Sequence, residues 1–318
     1  MSTPESKVFS TPVALIIFNR AETTRKVVDV LRKVQAKELF VIADGPRSGK
    51  DTDHQLCMEA RAVIDEIDWP CKIHRKFQEQ NLGCGHNPAA GIDWVFSRVE
   101  ECIILEDDCI PDLSFFPYCQ EMLQRYKNDS RIMMVSGNNH LLGKSHISDS
   151  YFFSINTQTH GWATWKRAWD KYDFYMKDWP TIKSIEWLTN LLGNRRYANG
   201  WMKTLDATYD EANNNLKCSV WDFQWTYICW KNHALNIIPS VNLVTNAGYG
   251  ENATHQTPVD HPLANLPLEI MSFPLKHPAA MIPDYSADLV LRTTVYGFRP
   301  LYKRIFFKLI KILSSPRQ

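Results

Sequence analysis

The sequence carries almost no net charge: 36 Lys and Arg stand against 35 Asp and Glu in 318 residues. Without a global field nothing draws in a polyanion such as nucleic acid, so any anion must be held locally. No run approaches the roughly 18 consecutive apolar residues of a membrane-spanning helix. The opening MSTPESKVFST is polar and lacks an apolar stretch before a small-residue cleavage site, so no secretory signal is read there. Eight cysteines (57, 71, 84, 102, 109, 119, 218 and 229) form no CxxC pair. Several lie in apolar surroundings, which favours reduced core thiols over zinc ligation or disulfides. HExxH is absent. GPRSGKD (45 to 51) is no phosphate loop, having three residues between its glycines where four are required and Asp51 where Ser or Thr belongs. These absences set the expectation of a cytoplasmic protein in which the sequons at Asn128 and Asn252 stay unmodified.

What is present is ordinary globular material, 44% hydrophobic and 22% charged, enough for one large domain or two small ones. VALIIF (13 to 18) reads as a strand buried on both faces, Thr23 to Val34 as a helix, and ELFVIADG (38 to 45) as a second strand stopped by Gly45 and Pro46. A helix over Asp53 to Ile67, a strand CKIHRKF (71 to 77), a helix over Pro88 to Val99 and a strand ECIILEDD (101 to 108) continue the alternation, followed by a helix near Phe115 to Tyr126 and a strand RIMMVSGN (131 to 138). The pattern predicts an α/β fold, a doubly wound and mostly parallel Rossmann-like sheet, whose ligands sit outside the carboxyl ends of the strands. Asn19, Arg20, Asp44 and the acids 106 to 108 all fall at such ends.

Beyond residue 150 the character changes, with nine of the eleven tryptophans and fewer clean strands. The expected layout is a disordered N-terminus (1 to 10), a first half of alternating strands and helices (11 to 150), a Trp-rich second half of the same domain (151 to 285) and a C-terminal basic amphipathic helix (286 to 318). In that last segment LYKRIFFKLIKIL (301 to 313) pairs an apolar face with Lys303, Arg304, Lys308 and Lys311. Its pattern fits equally a helix lying in a membrane interface and one packing back on the domain.

The acidic segment IILEDDCIPD (103 to 112) carries the chemistry. Three acids after a buried strand are costly unless each finds a partner, a hydrogen bond or a metal. Their hard oxygens suit Mg²⁺ or Mn²⁺, whose sites commonly take one or two carboxylates and fill the rest with water and substrate phosphate. A solvated loop is the plainer account of the acids, and a turn former that of Asp44.

In order along residues 12 to 256, LIIFNR, FVIADG, LEDDCIPDLSFFPY, MMVSGNN, GWATWKRAW (161 to 169) and WDFQW (221 to 225) resemble GT-A nucleotide-sugar glycosyltransferases. The nearest likeness is the N-acetylglucosaminyltransferase I group, whose DxD motif reads Glu-Asp-Asp. The resemblance implies a UDP-type donor, a hydroxyl on a glycan or lipid-linked acceptor, and inversion. By matching motif, Arg20 and Asp44 would contact the nucleotide base, Glu106 and Asp107 the ribose or donor sugar, and Asp108 the metal. The family places its base at the WD pair, so Asp222 is the candidate; a helix N-cap is the competing role. A late histidine often reaches the metal or diphosphate in this family, and His255 is either that ligand or a loop histidine. NLGCGHNPAAG (81 to 91) resembles the turn beside the donor, with Asn87 ahead of a helix N-terminus. Trp162 could stack on sugar, although the spacing of Trp162, Trp165 and Trp169 is helical and more often means core. A sugar-nucleotide pyrophosphorylase is disfavoured by FNRAETTR, which lacks the glycine-rich loop expected after strand one. A non-catalytic carbohydrate-binding or membrane-surface protein is disfavoured by the intact acid cluster.

Overall fold

The computed structural model describes residues 9–145, 147–214, 218–248 and 263–294. His255, the sequon at Asn252 and the basic segment 301 to 313 lie outside the described residues. Strands and helices first alternate: β1 (Val13–Ile17), α1 (Ala21–Val34), β2 (Glu38–Ala43), α2 (Asp53–Ala62), β3 (Lys72–Phe77), α3 (Gly83–Phe96) and β4 (Glu101–Glu106). Next come β5 (Cys109–Pro111), α4 (Phe115–Arg125), β6 (Ile132–Ser136), β7 (Tyr151–Ser154) and β8 (Trp162–Trp165). A helical tract follows, α5 (Lys166–Trp169), α6 (Trp179–Ile182), α7 (Ile185–Leu192), α8 (Arg195–Asn213) and α9 (Asp222–Lys231), and then β9 (Leu235–Pro239), β10 (Val244–Asn246) and α10 (Tyr285–Thr294).

Eight strands form one sheet in the order β3-β2-β1-β4-β8-β6-β9-β7. The first four are mutually parallel. β8 runs antiparallel to both β4 and β6, β9 lies parallel to β6, and β7 closes the edge antiparallel to β9. The fold is therefore mixed α/β with a large, mostly parallel sheet. β8, from beyond residue 150, inserts between two strands from before it, so both halves of the chain share this sheet. β5 and β10 form a separate antiparallel pair.

Side-chain alternation divides the core in two. Val13, Leu15 and Ile17 of β1, Leu39 and Val41 of β2, and Ile103 and Leu105 of β4 face the layer built with α1 and α4. Ala14, Ile16, Phe40, Ile42, Cys102 and Ile104 face the layer built with α3, α8 and α9. Central strands buried on both faces lose the polar/apolar alternation, which is why VALII and ELFVIA read as unbroken apolar runs. α1 buries Val27, Val28 and Leu31, carries Glu22 in its first turn and Arg32 and Lys33 in its last, and ends at Gln35 in the left-handed region (φ 57). Its charges thus complement the helix dipole at both ends.

Two expectations change, those for α3 and for GWATWKRAW. α3 starts at Gly83, five residues before the proline taken as its start, so Pro88 lies inside the helix and Asn87 in its second turn rather than ahead of it. GWATWKRAW is a strand followed by a short helix: Trp162 faces the α3 side of the sheet and Trp165 the α1 side, as strand alternation requires. LNIIPSVNLVTN is two strands in different sheets, broken after Pro239. Among the described residues no helix is long and apolar enough to cross a membrane.

α3 packs against β2 through Gly91, where an added Cβ would stand 2.5 Å from the Ile42 Cγ2 methyl. Gly200, within α8, has nothing within 4 Å of the same position. Gly91→Ala should therefore destabilise the protein by about 1–3 kcal/mol through overpacking. Gly200→Ala should stabilise it by about 0.5–1 kcal/mol, since alanine is the better helix former. Urea denaturation of the two variants checks this; equal effects would contradict the packing.

Candidate active site

One cleft of about 370 Å³ opens at the carboxyl ends of β1, β2 and β4. Arg20, Asp44, Asn87, Glu106, Asp107, Asp108 and Asp222 all line it. The parallel register of β1 and β4 pairs Ile16 with Glu106, which places the turn Phe18-Asn19-Arg20 beside the acids. Alternation then sends Glu106 to the face of Cys102 and Ile104, towards α3 and α9, and Asp107 to the other.

Asp107 is 7% exposed; its Oδ2 accepts from the Phe18 N–H at 3.1 Å, and Arg20 Nη1 lies 3.6 Å from Oδ1. The same Nη1 donates to Asp108 Oδ2 at 3.1 Å, so one guanidinium serves both aspartates. Burial, followed by the charges of Asp108, Asp107 and Asp222, pushes the Glu106 carboxyl up to about 8, with Arg20 pulling the other way. Burial and Asp108 push Asp107 up to about 7, against Arg20 and the Phe18 amide. Among the described residues that line it, the cleft gathers five carboxyl side chains, Asp44, Glu106, Asp107, Asp108 and Asp222, with Arg20 and Arg47 as its arginines.

The chain returns to the acids at β10. Ala247 N donates to the Asp108 carbonyl at 2.8 Å, and a Cβ on Gly248 would stand 2.0 Å from Asp108 Oδ2. Only glycine lets the backbone pass so close. Among the described residues no three His, Cys, Asp or Glu side chains form a metal cage. A hard cation here would take Asp108 as its main protein ligand and need oxygen from water and a bound phosphate, a mix usual for Mg²⁺-type sites.

Asp222 opens the first turn of α9 behind Trp221 as N-cap, so the aspartate is not the cap itself. Two contacts hold it at the cleft. A Cβ on Gly85 would stand 2.3 Å from the Cys218 carbonyl, so α3 presses directly on the loop entering α9. Thr226 Oγ1 donates to the Asp222 carbonyl at 2.9 Å and meets Thr157 Oγ1 at 2.5 Å, which ties α9 to the loop before β8.

Two expected roles require correction. Trp162 is 1% exposed, with Trp221 stacked on it at 5.6 Å and Trp169 and Trp225 against it, so it has no open face for a sugar. Trp221 is the tryptophan of this group that lines the cleft. Asp44 lines the cleft, but its carboxylate is turned inward. Oδ1 accepts from Gly45 N and Leu82 N, both at 2.8 Å, and Oδ2 from Gly83 N and Asn81 Nδ2, both at 2.9 Å. Burial raises the Asp44 carboxyl above its usual range, opposed by those amides.

Sequence reasoning passed over Arg47, Thr159 and His160, which also line the cleft, and took in Asn81 only as the first residue of the segment 81 to 91 without giving it a role. Arg47 and Asn81 follow the ends of β2 and β3, so the strand-end rule that found Asp44 reaches them when extended a few residues into each loop. Thr159 and His160 sit in a loop with no periodicity to mark it.

No protein-family model matches the chain, and no curated protein sequence does. Among solved structures it is similar to 4-diphosphocytidyl-2C-methyl-D-erythritol synthase from Anaerococcus prevotii DSM 20548, with 10% identity, TM-score 0.31, and coverage of 58% of this chain and 85% of that one. A cytidylyltransferase from Leptospira borgpetersenii serovar Hardjo-bovis matches with 9% identity, TM-score 0.31, and coverage of 52% and 64%. Likeness at this level identifies neither a family nor an activity.

The acid cluster predicts a pH dependence. A carboxyl whose folded-state pKa is raised binds its proton more tightly folded than unfolded, so its contribution is full below the unfolded value near 4 and is lost as pH rises through the folded one. In chelator, the urea midpoint should fall between pH 5 and pH 8.5, through the values near 7 and 8 for Asp107 and Glu106. Glu106→Gln, neutral throughout, should reduce that fall; an unchanged slope would remove Glu106 as its source.

Proposed function

We propose that the chain is a divalent-cation-dependent glycosyltransferase of the GT-A type, moving a sugar from a nucleoside-diphosphate sugar, UDP-linked in the simplest case, to a hydroxyl of a glycan or lipid-linked acceptor with inversion. One observation carries the reading: residues from five separate segments, Arg20, Asp44, Asn87, the acids 106 to 108 and Asp222, line a single cleft. A sheet with its carboxyl ends open to a ligand cleft suits a nucleotide. An excess of carboxylate suits a cation that accompanies a diphosphate.

The donor set fits Mn²⁺ or Mg²⁺ held by Asp108, and His255 is the late histidine that the family resemblance would add. Bound there, the cation would neutralise charge on the departing diphosphate. The chain's own groups do the rest. The first turn of α3 lines the cleft at Gly83 and Cys84, with the Leu82 and Gly83 amides already taken by the Asp44 carboxylate. Glu106 and Asp107 border the space for ribose and donor sugar. Asp222, on the α9 side, takes the acceptor's hydroxyl proton. The acceptor oxygen bonds to the anomeric carbon from the face opposite the nucleotide, the bond from that carbon to the diphosphate oxygen breaks, and its electron pair leaves with the nucleoside diphosphate. If the segment 301 to 313 binds an anionic membrane surface, the acceptor is lipid-linked.

Nucleotidyl transfer is the reaction to separate from this one. It would join a nucleoside triphosphate to a sugar phosphate and release pyrophosphate. The turn between β1 and α1, Phe18-Asn19-Arg20, contains no glycine to bring backbone against a triphosphate.

The released product decides: nucleoside diphosphate from a panel of nucleotide sugars supports glycosyl transfer, whereas pyrophosphate from triphosphate and sugar phosphate replaces it. Full activity in EDTA would remove the metal. Asp222→Asn should lower kcat by about 10²–10⁴-fold, the usual worth of a general base, while nucleotide affinity stays within about twofold. Turnover equal to the parent would remove Asp222 as the base.

A further inference from the structure

The four hydrogen bonds into Asp44 bear on how a nucleobase would be read. A carboxylate has about four acceptor directions, and those of Asp44 are taken by Gly45 N, Leu82 N, Gly83 N and Asn81 Nδ2. No acceptor capacity is left for a base. The same network fixes Asn81. Its Nδ2 donates to Asp44 Oδ2 at 2.9 Å and to the Gly45 carbonyl at 3.0 Å. Both partners are pure acceptors, so turning the amide over would set oxygen against oxygen twice. Asn81 is locked with its nitrogen inward and its Oδ1 outward.

The turn that carries it is equally constrained. A Cβ on Gly45 would stand 2.4 Å from the Gln80 backbone, so the β2 and β3 turns lie backbone to backbone. Arg61 Nη2 bridges their carbonyls, donating to Asp44 O at 3.0 Å and Gln78 O at 2.6 Å. Asn81 is half-buried and lines the cleft, and Oδ1 has no hydrogen-bond partner among the described residues. Phe18 lines the same cleft, with the Arg47 guanidinium 5.4 Å over its ring.

We propose that Asn81, and not Asp44, reads the base: its locked carbonyl oxygen accepts from a ring N–H, so among pyrimidine diphosphates the site prefers uridine or thymidine over cytidine type, while Asp44 is a positioning residue that holds the amide. This rests on the nucleotide-binding reading above. A freely rotating asparagine would accommodate either a donor or an acceptor edge. This one cannot present its NH₂, so the cytosine ring nitrogen, an acceptor, would meet an acceptor.

The test measures binding of UDP, CDP and N3-methyl-UDP by calorimetry in Mn²⁺, to the parent protein and to Asn81→Ala. Asn81→Leu, close in shape, replaces the alanine variant if that loosens the turn. The parent should favour UDP over both competitors by about tenfold or more, the order expected when a partly desolvated acceptor loses its donor. In the Asn81 variant that ratio should collapse to within about threefold. Equal binding of all three by the parent overturns the proposal, and so does a preference that survives removal of Asn81, which would pass the role to another acceptor. Binding of no nucleoside diphosphate would overturn the functional reading itself, and is distinguished by loss of all three ligands together.

Discussion

Like-charge crowding is the constraint around which this structure is arranged. Glu106, Asp107, Asp108 and Asp222 line one cleft, and burial together with these neighbouring charges raises the carboxyls of Glu106 and Asp107. What compensation exists comes from fixed groups. Arg20 spans Asp107 and Asp108, the Phe18 amide meets Asp107, and Asp222 stands in the first turn of α9, where the helix dipole favours an anion. A cluster left in deficit costs stability unless a cation offsets it. Under the proposed function, that deficit has the sign needed to hold a dication against a diphosphate, and destabilisation of the empty site and affinity for the ligand would have one source.

Holding that crowding in place requires backbone to approach where a side chain would obstruct. At Gly45 the β2 turn meets the Gln80 backbone, at Gly85 helix α3 meets the Cys218 carbonyl, and at Gly248 the chain leaving β10 meets the Asp108 carboxylate. Each contact joins a segment bearing a cleft residue to another: Asp44 to Asn81, Asn87 to Asp222, and β10 to the acid cluster. The glycines are spent where elements meet around the site and not in a phosphate-cradling loop after β1.

The same physics explains what could be read from the sequence. Strands buried on both faces announce themselves as apolar runs, so the parallel half of the sheet and the strand-end placement of Arg20, Asp44 and Glu106 to Asp108 were legible from periodicity. The α3 start was not, because Pro88 lies in the helix interior where the rule puts it at the start. Neither was the inward turn of Asp44, since three of the four donors that claim it come from a turn nearly forty residues away whose path periodicity does not encode. Asn81 was hidden for the same reason: its meaning lies in the orientation of an amide.

Tryptophan was the most misleading signal, and the reason is energetic. Helices α5 to α9 and the sheet face beneath them enclose a layer containing Trp162, Trp169, Trp179, Trp201, Trp221, Trp225 and Trp230, all at most 5% exposed, with Trp221 at the cleft wall. Large rings bury much apolar area with few rotatable bonds, so a helical tract of short elements gains a rigid core from them at low entropic cost. That rigidity reaches the chemistry indirectly. Tyr172 stacks on Trp169 at 4.2 Å and donates its hydroxyl to the Trp221 carbonyl at 3.0 Å, fixing the residue immediately before Asp222. A sugar platform and a positioning core look alike in composition; what separates them is whether a ring has an open face, and Trp162 has none.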